Sequence, residues 1–303
     1  MFIKNLKKLT IAALAVACMI PAGVSSANVE NVTRIAGEDR IATSIEISKA
    51  MFNESDNVVL ASGFNFADAL SAGQLAAALN APLILSKDQL DNRTTDEIAK
   101  LKPKNIYIVG GETALSSNIE ESVKSVVNNI NIERLKGNDR YETSVKVMEK
   151  TKEFVDAEYL LIASGKNFPD ALSATSFMAD HKALMVLSDG NSYPKSDLQE
   201  IAIGGVNQLP LNGFTGERIA GNDRYQTALA IARRSFENNE NAILANSKVF
   251  ADSLSAVSVA KNYKAPIIGR TMDSASVDAK TFFNNFVFIF TSDRKSTRLN
   301  SSH

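Results

Sequence analysis

Short runs of apolar residues alternate along the chain with segments in which apolar residues recur every three or four positions. In the first third, the short runs are residues 58–61, 83–85 and 106–109. Such runs are typical of strands buried on both faces of a sheet. Helical spacing covers the segments around them, residues 39–52, 68–79 and 94–101. Alternating strands and helices with short connections predict an α/β fold with a parallel sheet and crossover helices.

The same ordered set of sequence blocks occurs three times. The first block is an Arg-x-x-Gly-x-Asp-Arg sequence that begins at Arg34, Arg134 and Arg218. The second is an Asp-x-Leu-Ser-Ala sequence that begins at Asp68, Asp170 and Asp252. The third is apolar and covers residues 81–86, 183–188 and 265–268, and a Gly-Gly pair follows it at Gly110 and Gly204. The chain is therefore predicted to contain three tandem α/β units, at 32–131, 132–216 and 217–290.

The second copy is shorter than the first. Arg34, Arg134 and Arg218 open successive copies, so the repeat periods are 100 and 84 residues. Residues 116–127 of the first copy have helical periodicity, whereas their counterpart contains Pro210, Gly213 and Gly216. Because proline and glycine interrupt helices, the second unit is predicted to lack this helix.

Both ends of the chain differ from the repeats. Residues 1–27 have three lysines, an apolar run and a small-residue site ending at Ala27, the pattern of a signal peptide. Lipid attachment at Cys18 is a weaker alternative, because Ala15 stands where a leucine-like residue is expected. Residues 291–303 have no counterpart in the earlier copies and are predicted to be a non-native tail. The third unit is accordingly expected to be incomplete, without the helix that matches residues 116–127.

Composition narrows the possible functions. Lys and Arg number 33 against 34 Asp and Glu, a formal charge of −1, which argues against a nucleic-acid partner. Two histidines, one of them the last residue, and one cysteine leave little material for metal sites or histidine-based catalysis. No catalytic residue, metal or cofactor is predicted, and after removal of residues 1–27 no membrane contact is expected.

The three-fold blocks resemble the type-2 cell wall binding repeat family of Gram-positive surface proteins. The resemblance covers residues 32 to 290 and implies three Rossmann-like units with parallel sheets, packed as a pseudo-threefold ring. It also implies a secreted, S-layer-associated surface protein that binds noncovalently to an anionic wall polysaccharide or teichoic-acid-like polymer. The family's proposed polymer contact maps onto an apolar block in each copy: Pro82, Leu83, Ile84 and Leu85; Leu184, Met185, Val186 and Leu187; Pro266, Ile267 and Ile268.

Several motif residues have more than one interpretation. The arginines could pair with polymer phosphates or carboxylates, or more simply with the adjoining aspartates; the pairs are Asp39 and Arg40, Asp139 and Arg140, and Asp223 and Arg224. The repeated Asp68 is predicted to be a helix N-cap, like Asp39, rather than a catalytic acid. The Gly-Gly pairs are predicted to be tight turns rather than phosphate cradles.

An enzymatic alternative is a fragment of an N-acetylmuramoyl-L-alanine amidase-type autolysin whose catalytic domain is missing. A zinc amidase needs histidine and glutamate ligands, and His181 is the histidine that the repeats supply. A sugar-binding module with aromatic platforms is a further alternative, weakened by the absence of tryptophan.

Overall fold

A computed structural model of the protein describes residues 31–236, 241–246, 253–270 and 285–289. The predicted signal peptide, the predicted tail and the segment where the third unit was expected to lack a helix lie outside these residues. Within them, strands and helices alternate as the apolar pattern predicts, and the strands form three parallel sheets of four. None of the described helices is long and apolar enough to cross a membrane.

The first unit follows the predicted pattern closely. After the opening strand β1 (Asn31–Ile35), its elements are α1 (Arg40–Met51), β2 (Asn57–Ser62), α2 (Phe66–Leu79), β3 (Leu83–Ser86), α3 (Asn92–Leu101), β4 (Asn105–Val109), α4 (Asn118–Val126) and β5 (Asn131–Leu135). The first sheet has the order β3-β2-β4-β5. The chain turns to opposite sides after β2 and β4, as in doubly wound folds.

The second unit is trimmed, as its shorter spacing predicts. It contains α5 (Arg140–Lys152), β6 (Tyr159–Ser164), α6 (Pro169–Asp180), β7 (Ala183–Ser188), β8 (Gln199–Ile203) and β9 (Glu217–Ile219), with the sheet order β7-β6-β8-β9. No helix lies between β8 and β9. Leu209 and Leu211 of this loop are buried against the sheet instead, so the loop closes the core that a helix closes in the first unit.

The third unit recruits its fourth strand from the beginning of the chain. Its described elements are α7 (Arg224–Arg234), β10 (Asn241–Asn246), α8 (Ala256–Tyr263), β11 (Ile267–Arg270) and β12 (Asn285–Ile289). The sheet order is β11-β10-β12-β1, and β1 pairs with β12 in parallel from Asn31 opposite Asn285 to Ile35 opposite Ile289. Each sheet thus borrows its fourth strand from the repeat that follows, and β1 closes the ring.

The second helix of each repeat, α2, α6 or α8, lies at the centre of the ring. Gly73, Thr175 and Val257 occupy matching positions on these helices, and a Cβ added at Gly73 would lie 3.8 Å from Thr175 and 3.9 Å from Val257. The three positions therefore mark the pseudo-threefold axis. The ring that the family resemblance implies is confirmed.

On each central helix, the residue that follows the axis position makes hydrogen bonds that join successive units. Gln74 exchanges two bonds of 2.9 Å with the backbone of Met185. The Ile267 N–H donates to Ser176 Oγ at 2.8 Å, and Ser258 Oγ donates to the Ala81 carbonyl at 3.1 Å. The contacts run from the first unit to the second, the second to the third and the third to the first, so the ring is closed by side chains as well as by β1.

Candidate functional site at the joints between repeats

The repeated polar motifs converge where one repeat meets the next. In the first sheet β2 and β4 are neighbours, and in the second sheet β6 and β8 are; the chain leaves the two strands of each pair in opposite directions, which opens a crevice at their carboxyl ends. Asp68 on α2 and Gly110 after β4 face each other there, and Arg140 of the next repeat reaches the same place. We call this the first joint. The second joint contains the matching residues Asp170, Gly204 and Arg224.

A glycine is required opposite each of the two aspartates. Gly110 has φ of +116°, and a Cβ there would lie 2.9 Å from Asp68 Oδ2. Gly204 has φ of +106°, and its Cβ would lie 2.6 Å from Asp170 Oδ2. The positive φ and the short distance to the carboxylate both exclude a side chain. The first glycine of each Gly-Gly pair therefore forms a tight turn that packs against a carboxylate.

The predicted N-cap role holds for Asp39 but is wrong for Asp68. Asp39 accepts a hydrogen bond of 2.8 Å from the Ala42 N–H at the start of α1. Helix α2 begins earlier than its apolar pattern indicates, and Asn65 is its N-cap. Asn65 also donates its side-chain amide to Asp68 Oδ2 at 2.8 Å. Asp68 is therefore held inside the first turn of the helix and faces the crevice.

The ion pair expected between adjoining aspartate and arginine residues is wrong at Asp139 and Arg140. Asp139 is committed to capping, since it accepts from the N–H groups of Tyr141 and Glu142. Arg140 turns away and donates to the Gly165 carbonyl at 2.8 Å, as Arg40 donates to Gly63 at 2.6 Å. Because neighbouring residues at a helix start point in different directions, the cap and the arginine find separate partners.

Burial sets the electrostatics of the joints. It raises the pKa of Asp68 to about 6, and the charge of Arg140 across the joint offsets part of this effect. Burial likewise raises the pKa of Asp170, and Arg224 acts against it. The arginine of one repeat therefore compensates the buried carboxylate of the preceding repeat, which ties the motif residues of neighbouring units together.

Replacing Asp68 with asparagine should change how stability depends on pH. The pKa of Asp68 is higher in the folded than in the unfolded chain. The contribution of its protonation to the unfolding free energy is therefore fully present below pH 3.8 and is lost as pH rises through about 6. Relative to the Asp68→Asn variant, the wild type should therefore gain up to about 3 kcal/mol of unfolding free energy between pH 7 and pH 4. Urea denaturation of both proteins across this range checks the prediction; a constant difference would contradict it.

The second joint encloses an open cavity of about 610 Å³. Asp170, Gly205, Val206 and Arg224 are among the residues that line it. Asn167 matches the N-cap Asn65 of the first unit, but here it donates to Gln208 at 2.7 Å instead of to the aspartate. Asp170 Oδ1 is buried and has no hydrogen-bond partner in the described part of the chain. The cavity is therefore lined by the guanidinium of Arg224 and by the carboxylate-bearing residues Asp170 and Asp223.

The apolar block predicted to contact the polymer lies in the core in all three copies, which argues against a direct contact. Each segment forms, or leads into, a strand that is covered on both faces, and in parallel sheets such strands are packed by helices. All eleven side chains are buried: Pro82, Leu83, Ile84, Leu85, Leu184, Met185, Val186, Leu187, Pro266, Ile267 and Ile268. Their positions leave no surface for a ligand.

Together, the fold and the joints define a ring of α/β repeats with an open cavity at the second joint. Residues 34–120, 134–212 and 218–292 match the family Cell wall binding domain 2 (CWB2). These matches cover most of the chain, which therefore belongs to this cell wall binding family. The family and three-repeat organisation inferred from the sequence motifs are confirmed.

Similar proteins are found among curated sequences and solved structures. The chain is 26% identical over 313 residues to the N-acetylmuramoyl-L-alanine amidase LytC of Bacillus subtilis, covering 97% of this chain and 62% of that protein. It is 29% identical over 269 residues to the Amidase enhancer of the same organism, covering 85% and 37%. The chain thus spans less than two thirds of these relatives.

Two solved structures share the fold. Cwp6 from Clostridium difficile superposes with a TM-score of 0.77 at 27% identity, over 86% of this chain and 45% of the other. Cwp8 from the same organism gives a TM-score of 0.76 at 24% identity, over 86% and 49%. The α/β fold of this chain is therefore shared with both structures.

Proposed function

We propose that this chain anchors a secreted protein to the Gram-positive cell wall by noncovalent binding of an anionic wall polysaccharide or teichoic-acid-like polymer. The observation that carries this proposal is the match of three ordered copies to a cell wall binding family. The joints supply the contacts, since each combines a crevice at the carboxyl edge of a doubly wound sheet with an arginine from the next repeat.

The chemistry of the second joint suits a polyanion. A guanidinium binds phosphate or carboxylate through two parallel N–H donors, and Arg224 lines the cavity. The whole protein gives no long-range attraction, because its net charge is slightly negative. Attraction therefore has to be local.

Replacing Arg224 with alanine tests this assignment. Arg224 is exposed, so the variant should still fold, although Asp170 loses the charge that compensates its burial. Its binding to purified Bacillus subtilis walls should weaken about tenfold or more. The matched control is Lys124→Ala, which removes one exposed positive charge from α4, a residue that does not line the cavity of the second joint. Co-sedimentation with walls measures both variants. Equal binding by Arg224→Ala and the wild type would contradict a polymer site at the joints.

We propose no catalytic activity for this chain. The relatives named for amidase activity are longer proteins, of which this chain matches a part. In the ranges that the structure describes, no group of three or more His, Cys, Asp and Glu side chains is placed to hold a metal ion. A zymogram on isolated walls distinguishes a binding role from a catalytic role, because lytic clearing by the purified chain would contradict a purely binding role.

A further inference from the structure

The two described joints differ at their mouths. In the first joint, Glu112 follows the Gly-Gly pair and Lys136 precedes the Gly-x-Asp-Arg loop. Val206 and Ala220 occupy the matching positions in the second joint. The backbone of the joint is repeated while the side chains at its entrance are not. Differences at the entrance can therefore make one crevice accessible and another closed.

An ion pair spans the first joint. Lys136 Nζ lies 2.6 Å from Glu112 Oε1 and 2.7 Å from Oε2, joining the Gly-Gly turn of one repeat to the loop of the next. Both side chains are about half exposed, at 46% and 50%, so the pair lies at the surface of the joint. Val206 and Ala220 cannot form such a pair, and the 610 Å³ cavity opens between the same two loops in the second joint.

The charge at the mouth also differs between the two joints. The first joint carries Glu112 at its mouth, and Glu142 accepts from the Asn138 N–H in the adjoining loop. In the second joint a neutral Gln226 makes the equivalent bond to Asn222. The second joint thus lacks two carboxylates that would repel an anion. It also lacks one lysine that would attract an anion. An anionic ligand meets less repulsion there.

We propose that the second joint is the principal polymer site and that the Glu112–Lys136 pair keeps the first joint closed to the polymer. This inference rests on the proposed wall-binding function. The ligand segment it fits carries a phosphate or carboxylate for Arg224 and an adjacent sugar hydroxyl that donates to a carboxylate lining the cavity, that of Asp170 or Asp223. Val206, 60% exposed at the mouth, gives an apolar surface for the face of a sugar ring.

Reciprocal exchange of the two mouths tests the inference within one chain. The Val206→Glu/Ala220→Lys variant installs the ion pair at the second joint and should weaken binding to purified Bacillus subtilis walls about tenfold. The Glu112→Val/Lys136→Ala variant opens the first joint and should raise the number of chains bound per mass of wall polymer or the apparent affinity. A neutral variant of similar bulk, Val206→Gln/Ala220→Met, separates the effect of charge from that of filling the mouth. Thermal denaturation confirms that each variant is folded.

The outcomes distinguish this inference from the proposed function. If both exchange variants bind like the wild type while Arg224→Ala loses binding, the polymer site stands and the closing pair is wrong. If Arg224→Ala also binds like the wild type, the joints are not the polymer site. If the first exchange variant fails to fold, unchanged binding by Glu112→Val/Lys136→Ala alone overturns the inference.

Discussion

Replacing Ile35 with aspartate should lower the free energy of unfolding by about 3–5 kcal/mol, because it places a charge in an apolar core. Ile35 opens the first repeat in sequence but is 8% exposed within the core of the third unit. It packs in a cluster that includes Ile243 and Ile267, more than two hundred residues away along the chain. The loss therefore reports on closure of the ring by β1.

The control for this experiment is on the same strand. Thr33 is exposed, so Thr33→Asp should change stability by less than about 0.5 kcal/mol. Urea denaturation of both variants measures the difference. If Ile35→Asp unfolds at the same urea concentration as Thr33→Asp, β1 does not complete the third sheet.

Truncating Ile84 to alanine should cost about 2–5 kcal/mol of stability, because it leaves a cavity in a packed core. Ile84 is fully buried in β3 and packs with Leu60, Ile98 and Ile108 of the first unit. Nearby Lys87 is exposed just after the strand, and Lys87→Ala should leave stability unchanged.

Wall binding separates this structural role from a contact role. Below its melting temperature, the Ile84→Ala variant should bind walls like the wild type, because the side chain does not reach the surface. A variant with wild-type stability and lost wall binding would restore the apolar block as the polymer contact and contradict the burial argument.

Much of the fold could be predicted from the sequence, because buried strands and their helices have strong apolar periodicity. The strands β2, β3 and β4 and the shortened second unit follow from local pattern and from proline and glycine. The borrowed strands were missed. In β5 only Leu135 is buried and the other positions are polar or partly exposed, so there is no apolar run to detect.

The candidate site was predicted only in part. Asp68, Arg140 and the Gly-Gly pair could be selected because they recur in the same order in successive copies. Their partners could not, since Asp68 and Arg140 lie far apart in the chain and meet only when the ring places one repeat against the next. The adjacency of Asp139 and Arg140 in sequence suggested the wrong pair. The ordered recurrence of these residues in successive copies was the available signal for the site.

Binding of the purified chain to Gram-positive walls before and after chemical removal of the anionic secondary polymer tests the central claim most directly. The proposed function predicts strong retention on intact walls and loss of most of it on stripped walls, with recovery when the extracted polymer is coupled to an inert support. Equal retention on intact and stripped walls would contradict recognition of the secondary polymer.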